Sequence, residues 1–189
     1  MSKRRVTKSF LFLAATAVIL LGRWFAGSRA DLSGEAKVSL PFGRSNNYDD
    51  VLVERAVDGD TLKLENGERV RLIGIDTPEM HESNKLYRDS KKSGQDVKVI
   101  QALGKRAYSF TRDLVEGKRV RLEFDVEKRD RYKRLLAYVY LKDGTFVNAE
   151  IVKQGYASLM TYPPNVKHVD TFKELYKQAR ENNRGLWKE

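Results

Sequence analysis

Residues 51–79, VLVERAVDGDTLKLENGERVRLIGIDTPE, set two turn dipeptides among short β-branched and apolar runs. Val51–Val57 and Thr61–Leu64 flank Asp58-Gly59, a dipeptide that favours a hairpin because glycine reaches positive φ without a Cβ clash. Asn66-Gly67 then feeds a third run, Glu68–Ile75. Three strands joined by two tight turns predict an antiparallel meander.

Outward from this meander, residues 81–95 are polar and carry Asn84, Ser90, Ser93 and Gly94, which predicts a long exposed loop. Ile100, Leu103, Ala107, Phe110, Thr111 and Leu114 recur at three- and four-residue spacing, so Val97–Glu116 reads as a helix with one apolar stripe, closed by Gly117. Lys118–Phe124 and Leu135–Leu141 read as strands, with Asp143-Gly144 as a turn. Asn148–Gln154 and Asp170–Asn183 read as helices. The expected class is α+β: a five-stranded OB-type β-barrel with three α-helices, an architecture that commonly presents a nucleic-acid-binding face.

The first 30 residues differ in kind. A basic start, a run of thirteen mostly apolar residues from Phe10 to Gly22 and a small-residue stretch ending at Ala30 predict a signal peptide. A membrane anchor through residues 9–26 is the competing reading, although thirteen residues fall short of the roughly 20 that span a bilayer. Either way export is expected, to the outside or to the outer face of a membrane. Residues 31–47 read as a linker and 48–189 as one domain, expected to be monomeric.

Of the net charge of +10, residues 1–30 supply +6, so the folded part is only mildly basic and its charge merely permits a polyanionic partner. The 189 residues contain no cysteine, which excludes disulfides, thiolate metal sites and cysteine nucleophiles. No P-loop, G-x-S-x-G or G-x-G-x-x-G spacing occurs. The two histidines, His81 and His168, are expected on exposed loops.

The carboxylates with chemical promise are Asp58, Asp60, Asp76 and Glu79. Asp60 ends a turn and Asp76 ends a strand, so a meander can bring them together as oxygen ligands for a hard divalent cation. Asp58-Gly59 alone reads equally well as a hairpin turn. Pro78 holds Thr77 extended and fixes the direction in which Glu79 leaves, as a general base for water requires, but Thr77-Pro78-Glu79 also resembles a first helical turn. Arg71 and Arg134 lie among apolar neighbours, where a guanidinium can clamp phosphate or simply pair with an acid. Arg71 and Asp76 are an odd number of residues apart, so a regular strand aims them at opposite faces unless a bulge at Gly74 intervenes.

Taken together, Asp58-Gly59-Asp60-Thr61, Arg71 through Asp76-Thr77-Pro78-Glu79, Asp130-Arg131-Tyr132-Lys133-Arg134, Val147-Asn148, Gln154-Gly155-Tyr156-Ala157 and Gly185-Leu186-Trp187 resemble the staphylococcal nuclease (thermonuclease-like) family, in order from about Tyr48 to the C-terminus. The resemblance implies calcium-dependent cleavage of DNA or RNA to 3′-phosphate ends. It implies that Asp60, Asp76 and the Thr77 carbonyl bind Ca2+ with Asp58 behind them. Glu79 would activate water, Arg71 and Arg134 would hold the reacting phosphate, Arg131 and Tyr132 would meet a terminal phosphate, and Tyr162 would lie near the base. Lys133 stands where the family often has glycine, and residues 81–95 look longer than in the secreted staphylococcal type. The alternatives are a catalytically silent OB-fold nucleic-acid-binding module tethered at the membrane and a calcium-binding surface module, which would leave the two arginines without a role.

Overall fold

A computed structural model of the chain describes residues 47–188, so the expected export segment and nearly all of the 31–47 linker lie outside the described residues. The strands are β1 (Val51–Asp58), β2 (Thr61–Leu64), β3 (Arg69–Leu72), β4 (Gly74–Asp76), β5 (Arg119–Glu123), β6 (Leu135–Leu141) and β7 (Ser158–Met160). The helices are α1 (Asn84–Ser93), α2 (Val97–Val115), α3 (Val147–Lys153) and α4 (Val169–Glu181), followed by a 3-10 turn at Gly185–Trp187. Strands β1-β2-β3-β6-β5 close into a barrel, and β4-β7 form a separate two-stranded sheet. The expected α+β barrel is therefore what the chain forms.

The barrel closes through the pairings of β3 with β6 and of β1 with β5; the first is parallel and every other barrel contact is antiparallel. Val70, Leu72, Val120, Leu122, Leu135, Ala137 and Val139 point inward and are almost fully buried. Along β5 this gives the alternation of a half-buried strand, with Val120 and Leu122 inside and Arg121 outside. Each fully buried Val or Leu contributes roughly 1.5–3 kcal/mol against the entropy of ordering the chain.

The parity conflict between Arg71 and Asp76 is resolved by more than a bulge. β3 stops at Leu72, and at Gly74, with φ +85°, the chain leaves the barrel to pair with β7 as β4. Two contacts fix this exit. The Ile73 N–H donates to Ala137 O at 3.1 Å, and the fully buried Asn148 amide donates to Ile73 O at 2.9 Å while accepting from the Val139 N–H at 3.0 Å. Gly74 has to be glycine on two counts: its positive φ, and a Cβ that would lie 2.3 Å from Cε2 of Phe172, itself 2% exposed. Gly74→Ala is expected to destabilise the fold by about 2 kcal/mol or more. Urea denaturation checks this as a lowered midpoint at unchanged slope.

Two local expectations are corrected. Residues 81–95 are not a loop: of the residues that looked like loop markers, Asn84, Ser90 and Ser93 lie within helix α1 and Gly94 is its C-cap. Ser83 accepts the Leu86 N–H at 3.1 Å as N-cap, Gly94 closes α1 in the left-handed region, and Leu86, 0% exposed, anchors the helix. His168 is not an exposed loop residue either. Its ring is half-buried 4.4 Å from Tyr138 and 5.0 Å from Phe146, just ahead of α4, because rings from β6, from the entry to α3 and from α4 pack around it. His81 is exposed as expected.

Candidate active site

The candidate site is assembled by α2, which grips the two chain segments that carry the carboxylates. The Thr111 hydroxyl, buried on the inner face of α2, donates to Gly59 O at 2.8 Å and so holds the β1–β2 turn that presents Asp60. One helical turn pair earlier, Gly104 lies against the backbone of Pro78, Glu79 and Met80, where a Cβ would come within 2.8 Å of all three. Only a residue without a side chain lets the helix approach this closely.

Asp60 is 5% exposed and fully engaged. One oxygen accepts from the Thr77 N–H at 2.9 Å and the Thr77 hydroxyl at 3.1 Å, and the other from the Thr61 hydroxyl at 3.1 Å. Arg71 completes the arrangement, with one nitrogen 3.0 Å from Asp60 Oδ2 and the other 2.9 Å from Asp76 Oδ1. The break at Gly74 is what turns Asp76 back to meet Arg71. Lys85, in the first turn of α1, places its ammonium 3.0 Å from Asp76 Oδ1 and 3.2 Å from Thr77 O. Sequence reasoning missed Lys85 entirely; the Ser83-to-Leu86 capping spacing was the signal that could have placed it on a helix rather than a loop.

Charge balance explains the titration behaviour. Burial pushes the Asp58 carboxyl up to about 7, and the adjacent Asp60 carboxylate adds to the push. Burial would raise Asp60 as well, but the Arg71 guanidinium and the Thr77 N–H outweigh it and hold Asp60 below the usual carboxylate value. For Lys85 burial opposes the ammonium, yet Asp76 and Asp60 prevail and raise it above the ordinary lysine value.

Asp58, Asp60, Thr77, Pro78, Glu79 and Lys85 line one cleft of about 20 Å³, room for a single small occupant. Glu79 is held there by its own backbone, with Oε1 accepting from the Met80 N–H at 3.2 Å and the His81 N–H at 3.3 Å. Arg134 belongs to the same side of the barrel. Asp130 fixes it through a 2.7 Å ion pair, and its guanidinium extends to 3.5 Å from the Thr61 hydroxyl, the group that bonds Asp60. Arg131 donates to the Tyr132 hydroxyl at 2.7 Å and stacks over that ring, which is 65% exposed. Lys133 takes φ +65°, so the turn keeps the left-handed conformation that a glycine would favour. Tyr162, 73% exposed, lies two residues beyond Met160, whose sulfur contacts Arg71 at 3.7 Å.

The donor set suits a hard divalent cation. Asp60, Asp76 and the Thr77 carbonyl offer only oxygen, and the Lys85 ammonium already bridges two of them, which shows that positive charge is stabilised at this position. Among the described residues no group of three or more His, Cys, Asp or Glu is arranged to hold a metal. A cation here would therefore rest on two carboxylates, one carbonyl and water.

Paired carboxylates, two guanidinium groups and a small polar cleft beside a closed barrel form an arrangement able to bind a phosphodiester. The family described as Staphylococcal nuclease homologue matches residues 69–189. The chain is 35% identical over 187 residues to a thermonuclease of Staphylococcus intermedius, an alignment that covers 97% of this chain and 98% of the relative. It is 30% identical over 188 residues to a thermonuclease of Staphylococcus hyicus, with 97% and 98% covered. It is 33% identical over 159 residues to the endonuclease YncB of Bacillus subtilis, with 81% and 69% covered. The chain belongs to the staphylococcal nuclease family.

Proposed function

We propose that this nuclease is calcium-dependent and hydrolyses phosphodiester bonds of DNA or RNA to leave 3′-phosphate ends. The observation that carries the reading is the placement of Arg71 between Asp60 and Asp76, beside the cleft that Glu79 lines. An arginine here aims a planar fork of donors at an oxyanion.

In the proposed reaction the chain supplies three functions. Arg71, on β3, and Arg134, just ahead of β6, hold the phosphate and stabilise the charge that grows on its oxygens as a fifth bond forms. Glu79 takes a proton from the attacking water. Its tether to the Met80 and His81 N–H groups fixes its direction, and Gly104 fixes the backbone behind it. The bond to the 5′ oxygen then breaks, that oxygen takes a proton from solvent and departs as the 5′ hydroxyl, and the phosphate stays on the 3′ side. Asp60, Asp76 and the Thr77 carbonyl would hold Ca2+, which when bound supplies a Lewis acid that polarises a phosphate oxygen. Arg131 and Tyr132 offer a charge and an exposed ring to a terminal phosphate or base, and Tyr162 offers a second ring for stacking.

The test is cleavage of single-stranded DNA, double-stranded DNA and RNA by the full chain, in millimolar calcium and in excess chelator, with the product ends identified. Calcium is expected to support cleavage with 3′-phosphate ends, and chelation is expected to lower the rate by about a hundredfold or more. Undiminished cleavage in chelator would overturn the calcium reading. Binding without cleavage would favour the silent barrel module.

A further inference from the structure

We propose that Lys85 is a built-in rival of the divalent cation: its ammonium occupies the cation's oxygens until the ion displaces it, and so sets how much metal the enzyme needs. This inference rests on the metal reading given above. Lys85 Nζ lies 3.0 Å from Asp76 Oδ1 and 3.2 Å from Thr77 O, two of the three donor groups assigned to the ion. Those oxygens cannot serve an ammonium and a divalent cation at contact distance together. One must leave.

The helix that carries Lys85 gives no reason for a cation at this position. Ser83 caps α1, so Lys85 falls in its first turn, where the exposed N–H groups and the helix dipole disfavour positive charge. The first turn of α1 contains no acidic residue to compensate. What holds the ammonium is the site itself. Arg71 also touches Asp76, but it makes a second ion pair with Asp60, does not engage Thr77 O, and is only 13% exposed in its side chain. Lys85 is 31% exposed on a flexible four-carbon stem, so it is the cation free to withdraw toward solvent.

Withdrawal need not disturb the helix. α1 is secured by three contacts independent of the ammonium: the Ser83 cap, the buried Leu86, and the Gly94 N–H bonded to Ser90 O at 2.8 Å. The result is a side-chain exchange on a fixed scaffold. In the absence of metal, Lys85 gives Asp76 a second positive neighbour beside Arg71 and gives the Thr77 carbonyl a donor.

The test is calorimetric titration of calcium into the full-length wild type, Lys85→Met and Lys85→Arg without nucleic acid, together with thermal melting of each protein with and without calcium. Lys85→Met is expected to bind calcium about tenfold more tightly than wild type, the size of coupling common between sites that exclude each other. It is expected to melt lower than wild type without calcium and to gain more from calcium, because tighter binding to the folded state raises its stability by mass action. Lys85→Arg, which keeps the charge, is expected to bind weakly like wild type. Lys85→Gln serves as the neutral variant if the apolar one does not fold, with the same direction expected. Equal or weaker calcium binding by a folded neutral variant would overturn the proposal while leaving the metal reading intact. Calcium binding by neither wild type nor variant would overturn both.

Discussion

Replacing Arg71 by methionine is expected to cost about 3 kcal/mol of stability, and cleavage is expected to fall about a thousandfold. The stability loss follows from where the guanidinium sits. Arg71 is 3.0 Å from Asp60 and 2.9 Å from Asp76, and the side chains of the three are 13%, 8% and 24% exposed. Removing one partner of such a buried group leaves carboxylates without their counter-charge, which typically costs more than the pair contributed when intact. Lys85 remains beside Asp76, so the uncompensated burden falls mainly on Asp60. Asp60 keeps its hydrogen bonds to Thr61 and Thr77, which places the expected loss at the lower end of the range for broken buried pairs, about 3–5 kcal/mol. Activity falls further than stability because the same fork is assigned to the phosphate. Arg71→Lys keeps the charge but loses the fork, and an intermediate stability with a similar activity loss is expected. Urea midpoints and kcat/KM on single-stranded DNA measure the two effects separately. An Arg71→Met protein as stable as wild type would show that the two ion pairs contribute nothing net.

The barrel was legible in the sequence because its signals are local. Asp58-Gly59 and Asn66-Gly67 announce their turns by chemistry, β5 alternates at the period that a sheet requires, and β6 is a continuous apolar run of strand length. The stripe from Ile100 to Leu114 likewise marks α2. Polar residues hid α1. Asn84, Ser90, Ser93 and Gly94 resemble loop composition, and only the buried Leu86 shows that a helix is paid for by tertiary contact rather than by its own periodicity. The conflict between Arg71 and Asp76 was visible as odd spacing, and Gly74 was visible as the place for its relief. That β4 leaves the barrel to pair with β7 was not, because strand partners far apart in sequence leave no local trace.

Within the site, spacing brought out Asp60, Asp76 and Glu79 but left their roles open; resemblance to a family supplied those roles. Neither route led to Lys85, Gly104 or Thr111. Lys85 reaches the carboxylates only because α1 exists, Thr111 was absorbed into the apolar stripe of α2, and Gly104 acts by allowing a close approach that leaves no pattern in the sequence. His168 was likewise misplaced because its burial depends on the aromatic packing of Tyr138, Phe146 and Phe172 from separate elements.

Glu79→Gln is expected to remove nearly all cleavage while leaving the fold in place. The substitution keeps the volume and the side-chain oxygen that accepts from the Met80 and His81 N–H groups, so the tether of residue 79 survives. What disappears is the ability to take a proton, a contribution of about 10²–10⁴ in rate for a positioned general base. No ion pair involving Glu79 occurs among the described residues, so no stabilising pair is lost and the melting temperature is expected to stay close to that of wild type. The decisive measurement is the single-turnover rate of DNA cleavage by the full chain at saturating calcium, wild type against Glu79→Gln. A loss of about a thousandfold with unchanged melting is expected; a folded Glu79→Gln protein that cleaves as fast as wild type would contradict the assignment of this cleft as the site of the reaction.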